Sequence, residues 1–196
     1  KSFFAALYSN ADSIYLGLKK FNARIPADNF TPYLLKKAVE YAHSKNIKVY
    51  LTLNIDIKEN ELYDILEILE FLVSIKIDAV IIRDPALILI INKFYKDKLK
   101  IHLSTQTAIT NSYAMSFAEQ IGATRVVLAR ELELNEIKAC CEASAVECEI
   151  FIEGSLCFSV SGRCLASSWV GGRSGNRGLC TAPCRVLWEN NGQKDN

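Results

Sequence analysis

The stretch IKVYLTLNIDIKENELYDILEILEFLVSIKIDAVIIR, residues 47–83, contains one complete strand–helix–strand unit. Its two ends, 47–54 and 78–83, are short apolar runs of the kind that form buried strands. Between them, leucine and isoleucine recur every three or four residues over 59–74, which is the spacing of one face of a helix. Two strands joined by a helical crossover are predicted to lie parallel in one sheet.

The same alternation continues in both directions along the chain. Thr31 followed by Pro32, and Asp84 followed by Pro85, each supply a capping side chain and a proline in the first turn of a helix. Six strands alternating with helices predict an α/β fold with a parallel sheet. Besides the unit above, strands are predicted at 13–18, 100–105, 125–130 and 147–153, and helices at 31–45, from 85 onward, at 111–121 and at 134–143.

A barrel is favoured over an open doubly wound sheet. No GxGxxG phosphate-binding pattern follows an early strand, whereas polar residues follow nearly every strand, as they do at the active face of a (β/α) barrel. Because a TIM barrel has eight strands, we expect an incomplete TIM-barrel-like domain, with further sequence before Lys1 and after Asn196. The predicted division is a barrel portion over 1–153, a cofactor-binding segment rich in cysteine, arginine and glycine over 154–188 that packs on the barrel, and a polar tail over 189–196.

Composition limits the class of protein. Half of the 196 residues are hydrophobic, which is enough for one domain with a core, and the formal net charge of +1 does not indicate a partner. Seven cysteines without a signal-peptide pattern indicate a reducing cytoplasm rather than a disulfide framework. The longest apolar run, Ala86–Ile91, is six residues long, so no membrane association is expected.

Four of the cysteines lie near the C-terminal end. Cys157, Cys164, Cys180 and Cys184 are separated by six, fifteen and three residues, among four arginines and a single acid over 153–185. We predict one ligand set, with its sulfurs within about 7 Å of one another, for an anionic cofactor. An iron–sulfur cluster, a zinc site and a redox pair stay open, although the absence of CxxC makes zinc less typical. The other cysteines are predicted to be buried apolar residues: Cys140, Cys141 and Cys148.

Parallel strands end at one edge of a sheet, so the polar residues at the strand ends are predicted to share a pocket with at least one of the four cysteines. His102 also suits a hydrogen-bonded core position, and Glu131 also suits an ion pair with Arg130 or Arg24. The candidate catalytic residues are His102, Gln106, Glu131 and Glu153. The candidate substrate-binding residues are Arg24, Asn54, Arg130, Arg173 and Arg177, the last two at the rim of the pocket.

A hydrolytic mechanism finds little support in the sequence. No HExxH or GxSxG motif is present, and two histidines are too few for a convincing Ser–His triad. A Cys–His protease built from Cys157 and His102 is the weaker alternative, because four clustered thiols indicate a ligand set.

Four motifs match a known family: YLG at 15–17 followed by FNAR at 21–24, HLSTQ at 102–106, RVVLARE at 125–131, and IEGSLCFSVSGRCLASSWVGGRSGNRGLCTAPCR at 152–185. Through them the chain resembles the collagenase-like peptidase family, U32, from Tyr15 to Arg185. Many members of that family carry a histidine at the position of Glu153.

The resemblance implies a barrel-like domain that binds a four-iron four-sulfur (4Fe-4S) cluster through Cys157, Cys164, Cys180 and Cys184. It implies an oxygen-independent hydroxylase of a tRNA wobble uridine or a ribosomal RNA cytidine, linked to prephenate as a co-substrate; other members hydroxylate a ubiquinone precursor. RNA and a small anionic co-substrate are then the expected partners. The alternatives are a collagenase-like peptidase, as the family name implies, and a zinc-stapled RNA-binding or scaffold fragment.

Overall fold

The computed structural model describes residues 1–154, 156–190 and 193–195. The first part of the chain alternates strictly between helix and strand. Its strands are β1 (Ser13–Gly17), β2 (Lys48–Leu53), β3 (Ala79–Ile82), β4 (Lys100–Leu103), β5 (Ala123–Val127) and β6 (Glu147–Glu149). The helices are α1 (Ser2–Tyr8), α2 (Pro32–His43), α3 (Leu62–Ser74), α4 (Pro85–Phe94), α5 (Ser112–Gln120), α6 (Leu134–Glu142) and, after the last of these strands, α7 (Ala166–Gly171).

The six strands form one sheet in the order of the chain, and every neighbouring pair is parallel. The sheet curls into half of a barrel. This order is that of a (β/α) barrel, because the strand order of a doubly wound sheet reverses part-way across. The predicted α/β fold with a partial TIM-barrel-like sheet is therefore confirmed. One row of partners crosses the sheet: Gly17, Thr52, Ile81, His102, Arg125 and Glu147.

The two faces of the sheet have different surroundings. Alternate strand residues, such as Val49 and Leu51 of β2, are buried in the main hydrophobic core together with the inner faces of α2 to α6. The residues between them face the concave side, where Tyr50, Ala79 and Ile81 form a separate small apolar cluster. The concave side is thus the face on which the sheet can carry polar side chains.

Helices α2, α4, α5 and α6 begin within one residue of the predicted positions, whereas α3 begins at Leu62, after a 3-10 turn over Glu59–Glu61. Thr31 caps α2 and Asn111 caps α5 by accepting hydrogen bonds from backbone N–H groups. One carboxylate oxygen of Asp84 accepts from the N–H of Ala86 at 2.7 Å, and the other accepts from the N–H of Ile57 at 2.8 Å. The cap of α4 therefore also fixes the path of the chain after β2.

The last strand is shorter than predicted. The sequence predicts a strand over 147–153, but β6 ends at Glu149, whose carbonyl oxygen accepts from the N–H of Leu128 at 2.9 Å. Beyond that bond the chain leaves the neighbouring strand, and Ile150 and Ile152 are 43% and 89% exposed. At the predicted polar tail, β7 (Trp188–Asn190) pairs antiparallel with β8 (Gln193–Asp195), while residues 191, 192 and 196 lie outside the described residues.

Candidate active site at the strand ends

The cysteine-rich segment, residues 154–188, lies across the carboxyl ends of the sheet. It contacts the chain just after each of five successive strands, β1 to β5. The side-chain contacts join residues that are 30 to 121 positions apart in sequence. Because (β/α) barrels build their active face from the carboxyl ends of their strands, the segment covers the expected position of a site.

Gly162 makes the closest approach between the segment and the sheet. Its φ is +72°, and a Cβ placed on it would lie 2.1 Å from the carbonyl oxygen of Gln106, just after β4. The Gly162 carbonyl oxygen accepts from Nη1 of Arg83 at 3.5 Å, and the same nitrogen donates to Oε1 of Gln106 at 3.3 Å. Nε of Arg83 lies 2.9 Å from a carboxylate oxygen of Asp56. Arg83 therefore joins the ends of β2, β3 and β4 beneath the segment.

Ser161 ties the segment to the end of β5. It is fully buried; its N–H donates to one carboxylate oxygen of Glu131 at 3.1 Å, and its hydroxyl donates to the other at 3.0 Å. Nη2 of Arg130 donates to the same hydroxyl at 3.2 Å. Burial by itself would raise the pKa of Glu131, but the hydrogen bonds from Ser161 and the charge of Arg130 outweigh burial and lower it. Glu131 is thus an ionised support of the segment, and its catalytic role stays a prediction.

We expect Glu131→Gln to lower the free energy of unfolding by about 1 kcal/mol, because an amide replaces the charged acceptor of two hydrogen bonds at an exposed position. Since the pKa of Glu131 is lowered by folding, its contribution is complete above the unfolded-state pKa of ~4.3 and is lost as the pH falls through the folded-state value. Urea denaturation at neutral and acidic pH measures both effects. Glu67→Gln, at an exposed position on α3, is the control, and equal losses for the two variants at neutral pH would contradict the role.

Two further contacts hold the segment to the ends of β1 and β2. A Cβ on Gly178, whose φ is +81°, would lie 2.2 Å from the carbonyl oxygen of Asn22. Arg177 donates to the backbone carbonyl of Asp56 and forms an ion pair of 2.6 Å with Glu61, in which each side chain is 23% exposed. Burial would raise the pKa of Glu61, but the hydrogen bond from Arg177 and a backbone hydrogen bond outweigh it and lower the pKa. Arg177 therefore anchors the segment, and its predicted role in substrate binding at the rim stays a prediction.

The four cysteines of the segment are free thiols. Cys164 and Cys180 are neighbours across Gly175, on which a Cβ would lie 3.6 Å from Cβ of Cys180 and 3.9 Å from the carbonyl oxygen of Cys164. The sulfur of Cys180 accepts from the hydroxyl of Ser167 at 3.6 Å and from the N–H of Ala182 at 3.3 Å. The surroundings of Cys180 therefore already direct two donors at its sulfur, as occurs around iron–sulfur ligands.

The other two cysteines, Cys157 and Cys184, have chain neighbours that are hydrogen-bonded to each other. Arg185, next to Cys184, donates to the backbone carbonyl of Leu156, next to Cys157. Among the residues that the structure describes, no three His, Cys, Asp or Glu side chains are placed to hold a metal ion, which differs from the expected gathering of four sulfurs. The donor set fits a four-thiolate cluster in number and chemistry, but no three of its sulfurs are gathered at one point among the described residues. Outside the segment, Cys141 is exposed rather than buried as predicted.

Of the remaining strand-end candidates, one is held by hydrogen bonds and the others are exposed. The side-chain oxygen of Asn54 accepts from the N–H of Ala23 at 2.9 Å, and its amide donates to the hydroxyl of Ser104 at 3.4 Å. Asn54 thus links the ends of β1, β2 and β4. The exposed candidates are Arg24, Glu153 and Arg173.

His102 lies away from this group, on the concave face of β4. It is 4% exposed, its ring packs edge-on against Tyr50 with centroids 4.6 Å apart, and Nδ1 has no hydrogen-bond partner among the described residues. It lines a cavity of about 490 Å³ whose other walls come largely from the amino ends of the strands. Burial, followed by the charge of Arg125, lowers the pKa of His102 to about 4. Within the described residues no hydrogen bond joins His102 to Cys157, so the Cys–His pair of a protease is not assembled.

Asp56, Glu61 and Ser161 are site residues that the sequence analysis does not predict. Asp56 could have been found from the sequence, because it is a charged residue only three positions after the end of β2. No local pattern in the sequence could have identified Ser161, since its partner Glu131 lies 30 residues away and serine is common in loops.

Comparison with known proteins places this geometry in a family. The sequence profile of Peptidase family U32 matches residues 1–196, the whole chain. The chain belongs to peptidase family U32. The resemblance drawn from the four motifs is thereby confirmed.

Relatives within the U32 family carry different names. An uncharacterized protease of Methanocaldococcus jannaschii is 41% identical over 189 residues, which cover 94% of this chain and 46% of the relative. The tRNA hydroxylation protein P of Haemophilus influenzae is 36% identical over 180 residues, covering 91% and 38%. A 23S rRNA 5-hydroxycytidine synthase of Escherichia coli is 34% identical over 181 residues, covering 92% and 27%. The chain spans less than half the length of each of these relatives.

A solved U32 peptidase structure has the same fold. It superposes with a TM-score of 0.61 at 18% identity, over 72% of this chain and 60% of that chain. Among the helices of the described residues, none combines the length and the apolar character needed to cross a membrane.

Proposed function

We propose that this U32 chain binds a 4Fe-4S cluster through Cys157, Cys164, Cys180 and Cys184 and takes part in the oxygen-independent hydroxylation of a pyrimidine in tRNA or ribosomal RNA. The observation that carries the proposal is the packing of the cysteine-rich segment across the ends of five strands, because a cofactor held there faces the usual active side of a barrel. The relatives that hydroxylate RNA support the substrate class. We place this activity in the cytoplasm, the compartment that the sequence predicts.

The cluster, when bound, would supply electron transfer at the strand ends. The surrounding residues have separate tasks in this proposal. Arg83, held between Asp56 and Gln106, keeps the floor of the site in place. Gln106 faces the segment and orients the substrate. The exposed guanidinium of Arg24, which follows β1, is available to hold a carboxylate of prephenate, the proposed small anionic co-substrate, by paired hydrogen bonds.

Metal content tests the cofactor. Protein purified without oxygen is expected to be brown, with broad absorption near ~400 nm and about four irons per chain. Cys164→Ser and Cys180→Ser are expected to remove most of the colour and iron, whereas Cys141→Ser, an exposed thiol outside the segment, keeps both. Zinc without iron in the wild-type protein would contradict the cluster and favour the zinc-stapled RNA-binding or scaffold fragment.

Nucleoside mass spectrometry tests the reaction. A strain that lacks the gene is expected to lose a hydroxylated pyrimidine from its tRNA or ribosomal RNA, and the wild-type gene restores the nucleoside while Cys180→Ser does not. The class of RNA that changes identifies the substrate. RNA that is identical in the presence and absence of the gene would overturn the proposal.

A peptidase is the second candidate, because one relative is named a protease. Cleavage of gelatin that disappears in both Cys157→Ser and His102→Ala would favour it. Cleavage that survives both substitutions, or no cleavage, would reject it. The separation of these two residues, one on the segment and one in the concave cavity, gives the candidate no assembled nucleophile and base.

A further inference from the structure

Helix α7 has one face that is hydrogen-bonded to the rest of the segment and another face that is exposed to solvent. Ser167 is 2% exposed; its hydroxyl accepts from the N–H of Thr181 at 3.1 Å and donates to the sulfur of Cys180 at 3.6 Å. Trp169, on the same short helix, is 84% exposed. Since the inner face is held by these hydrogen bonds, the indole is directed away from the protein. An exposed tryptophan presents a large apolar surface that usually has a partner.

The charge around this indole is of one sign. Residues 154–188 contain four arginines and no aspartate or glutamate. Arg177 and Arg185 are committed to acceptors within the protein. The side chains of Arg163 and Arg173 are exposed, and the N–H of Arg173 donates to the carbonyl of Ser167 at 3.1 Å, which fixes its backbone to the end of α7. Arg173 and the indole therefore belong to one ordered surface, and Arg163 adds a second exposed cation on the same segment, so that the segment complements a polyanion.

We propose that Trp169, with Arg163 and Arg173, is a stacking platform for an unpaired base in a single-stranded loop of RNA. The inference rests on the proposed function and specifies the form of the RNA that the chain recognises. Bases stack on aromatic side chains while guanidinium groups contact the phosphates, and this combination binds single strands. A base inside an A-form helix has no free face, so a duplex cannot use the platform.

The position of the platform connects it to the site. Ser167 lies on the same helix as Trp169 and contacts Cys180, a proposed cluster ligand. A base stacked on Trp169 is therefore held on the same segment as the proposed cluster ligands. Trp169 is a positioning residue, since it touches the RNA rather than the reacting atoms. Its loss is expected to raise KM for RNA more than it lowers kcat.

Fluorescence tests the platform directly. The chain has two tryptophans, so Trp188→Phe leaves Trp169 as the reporter. We expect titration with an unstructured oligouridylate to quench its emission and an RNA duplex of equal length to have little effect. In the wild-type background, with binding followed by anisotropy of labelled oligouridylate, Trp169→Ala is expected to weaken binding by about tenfold to a hundredfold, and Trp169→Phe to restore much of it. Arg173→Ala is expected to weaken binding and to reduce its dependence on salt by about one phosphate contact.

Tyr113→Ala is the matched control, because Tyr113 is 88% exposed on α5 and lies outside the segment. Equal affinity of the wild-type, Trp169→Ala and Tyr113→Ala proteins for oligouridylate, or equal binding of single strand and duplex, would overturn the platform. If such a result accompanies a hydroxylated nucleoside that depends on Cys180, the platform fails while the proposed function stands. Emission from Trp169 that is blue-shifted and insensitive to RNA would show that protein covers the indole, and this result also rejects the platform.

Discussion

Gly162→Ala is expected to detach the cysteine-rich segment from the sheet and to lower the free energy of unfolding by on the order of 3 kcal/mol. The φ of +72° is unfavourable for alanine, and the new methyl group would meet the Gln106 carbonyl at 2.1 Å. The methyl group is fixed to the backbone of residue 162 and the carbonyl belongs to the backbone of Gln106, so neither can rotate away as a long side chain could. The strain therefore has to be relieved by moving the segment. This movement breaks the neighbouring hydrogen bonds from Arg83 to the Gly162 carbonyl and from the Ser161 N–H to Glu131.

Urea denaturation and limited trypsin digestion measure this effect. Detachment frees the backbone around Arg163, whose side chain is already exposed, to enter the active site of trypsin, so cleavage inside 154–188 is expected while the barrel portion stays intact. Gly171→Ala is the control, because a Cβ at Gly171 meets no atom within 4 Å and alanine suits a helix. If the two variants show the same stability and the same digestion pattern, Gly162 is not the point of attachment.

A second large effect is expected from acid acting on His102. Its folded-state pKa is about 4, against ~6.5 in the unfolded chain. Above pH ~6.5 the imidazole is neutral in both states, and between ~6.5 and 4 only the unfolded state takes up the proton. The free energy of unfolding therefore falls with pH over this window, by about 3 kcal/mol in total. The charged groups that act on the ring are Arg125, Glu147, Lys100 and Lys48, and the other ionisable groups that line its cavity are Asp78 and Glu119.

Comparison of variants separates this proton from the carboxylates that titrate lower down. Urea denaturation of the wild-type protein from pH 7 to 4 should show the loss, and His102→Gln should remove most of its slope, because glutamine does not titrate. His43→Gln should keep the slope, since His43 lies on α2 and does not line the cavity that holds His102. Identical slopes for the wild-type protein and His102→Gln would contradict the assignment.

The regular elements were predictable because their signals are local. The cap at Thr31 and the cap at Asp84 mark helix starts through contacts within a few residues. The prediction of a strand over 147–153 was too long for a related reason. The composition of this run indicates a strand, but a strand also needs a paired neighbour, and the pairing with β5 ends at Glu149. A local pattern carries no information about where a neighbouring strand stops.

The site was predictable only in part. Parallel strands bring their ends together, so Asn54, Gln106 and Glu131 could be placed on one face from the chain order alone. The attachments of the segment depend on pairs far apart in sequence, such as Arg177 with Glu61, 116 residues apart. Arg177 was assigned to substrate by its charge, because the sequence does not reveal that a carboxylate on another loop already neutralises it.

The order of the strands has a consequence for how the protein comes to its native state. Each strand pairs with the one formed just before it, so the sheet can grow from β1 to β6 by closing one short loop at a time as the chain leaves the ribosome. The cysteine-rich segment cannot join this sequence early, because its docking points follow five different strands. The thiols therefore reach their final surroundings only after β1 to β5 are in place. The growing sheet then acts as a checkpoint, because a chain with a misfolded strand fails to seat the segment and leaves its thiols outside their native surroundings.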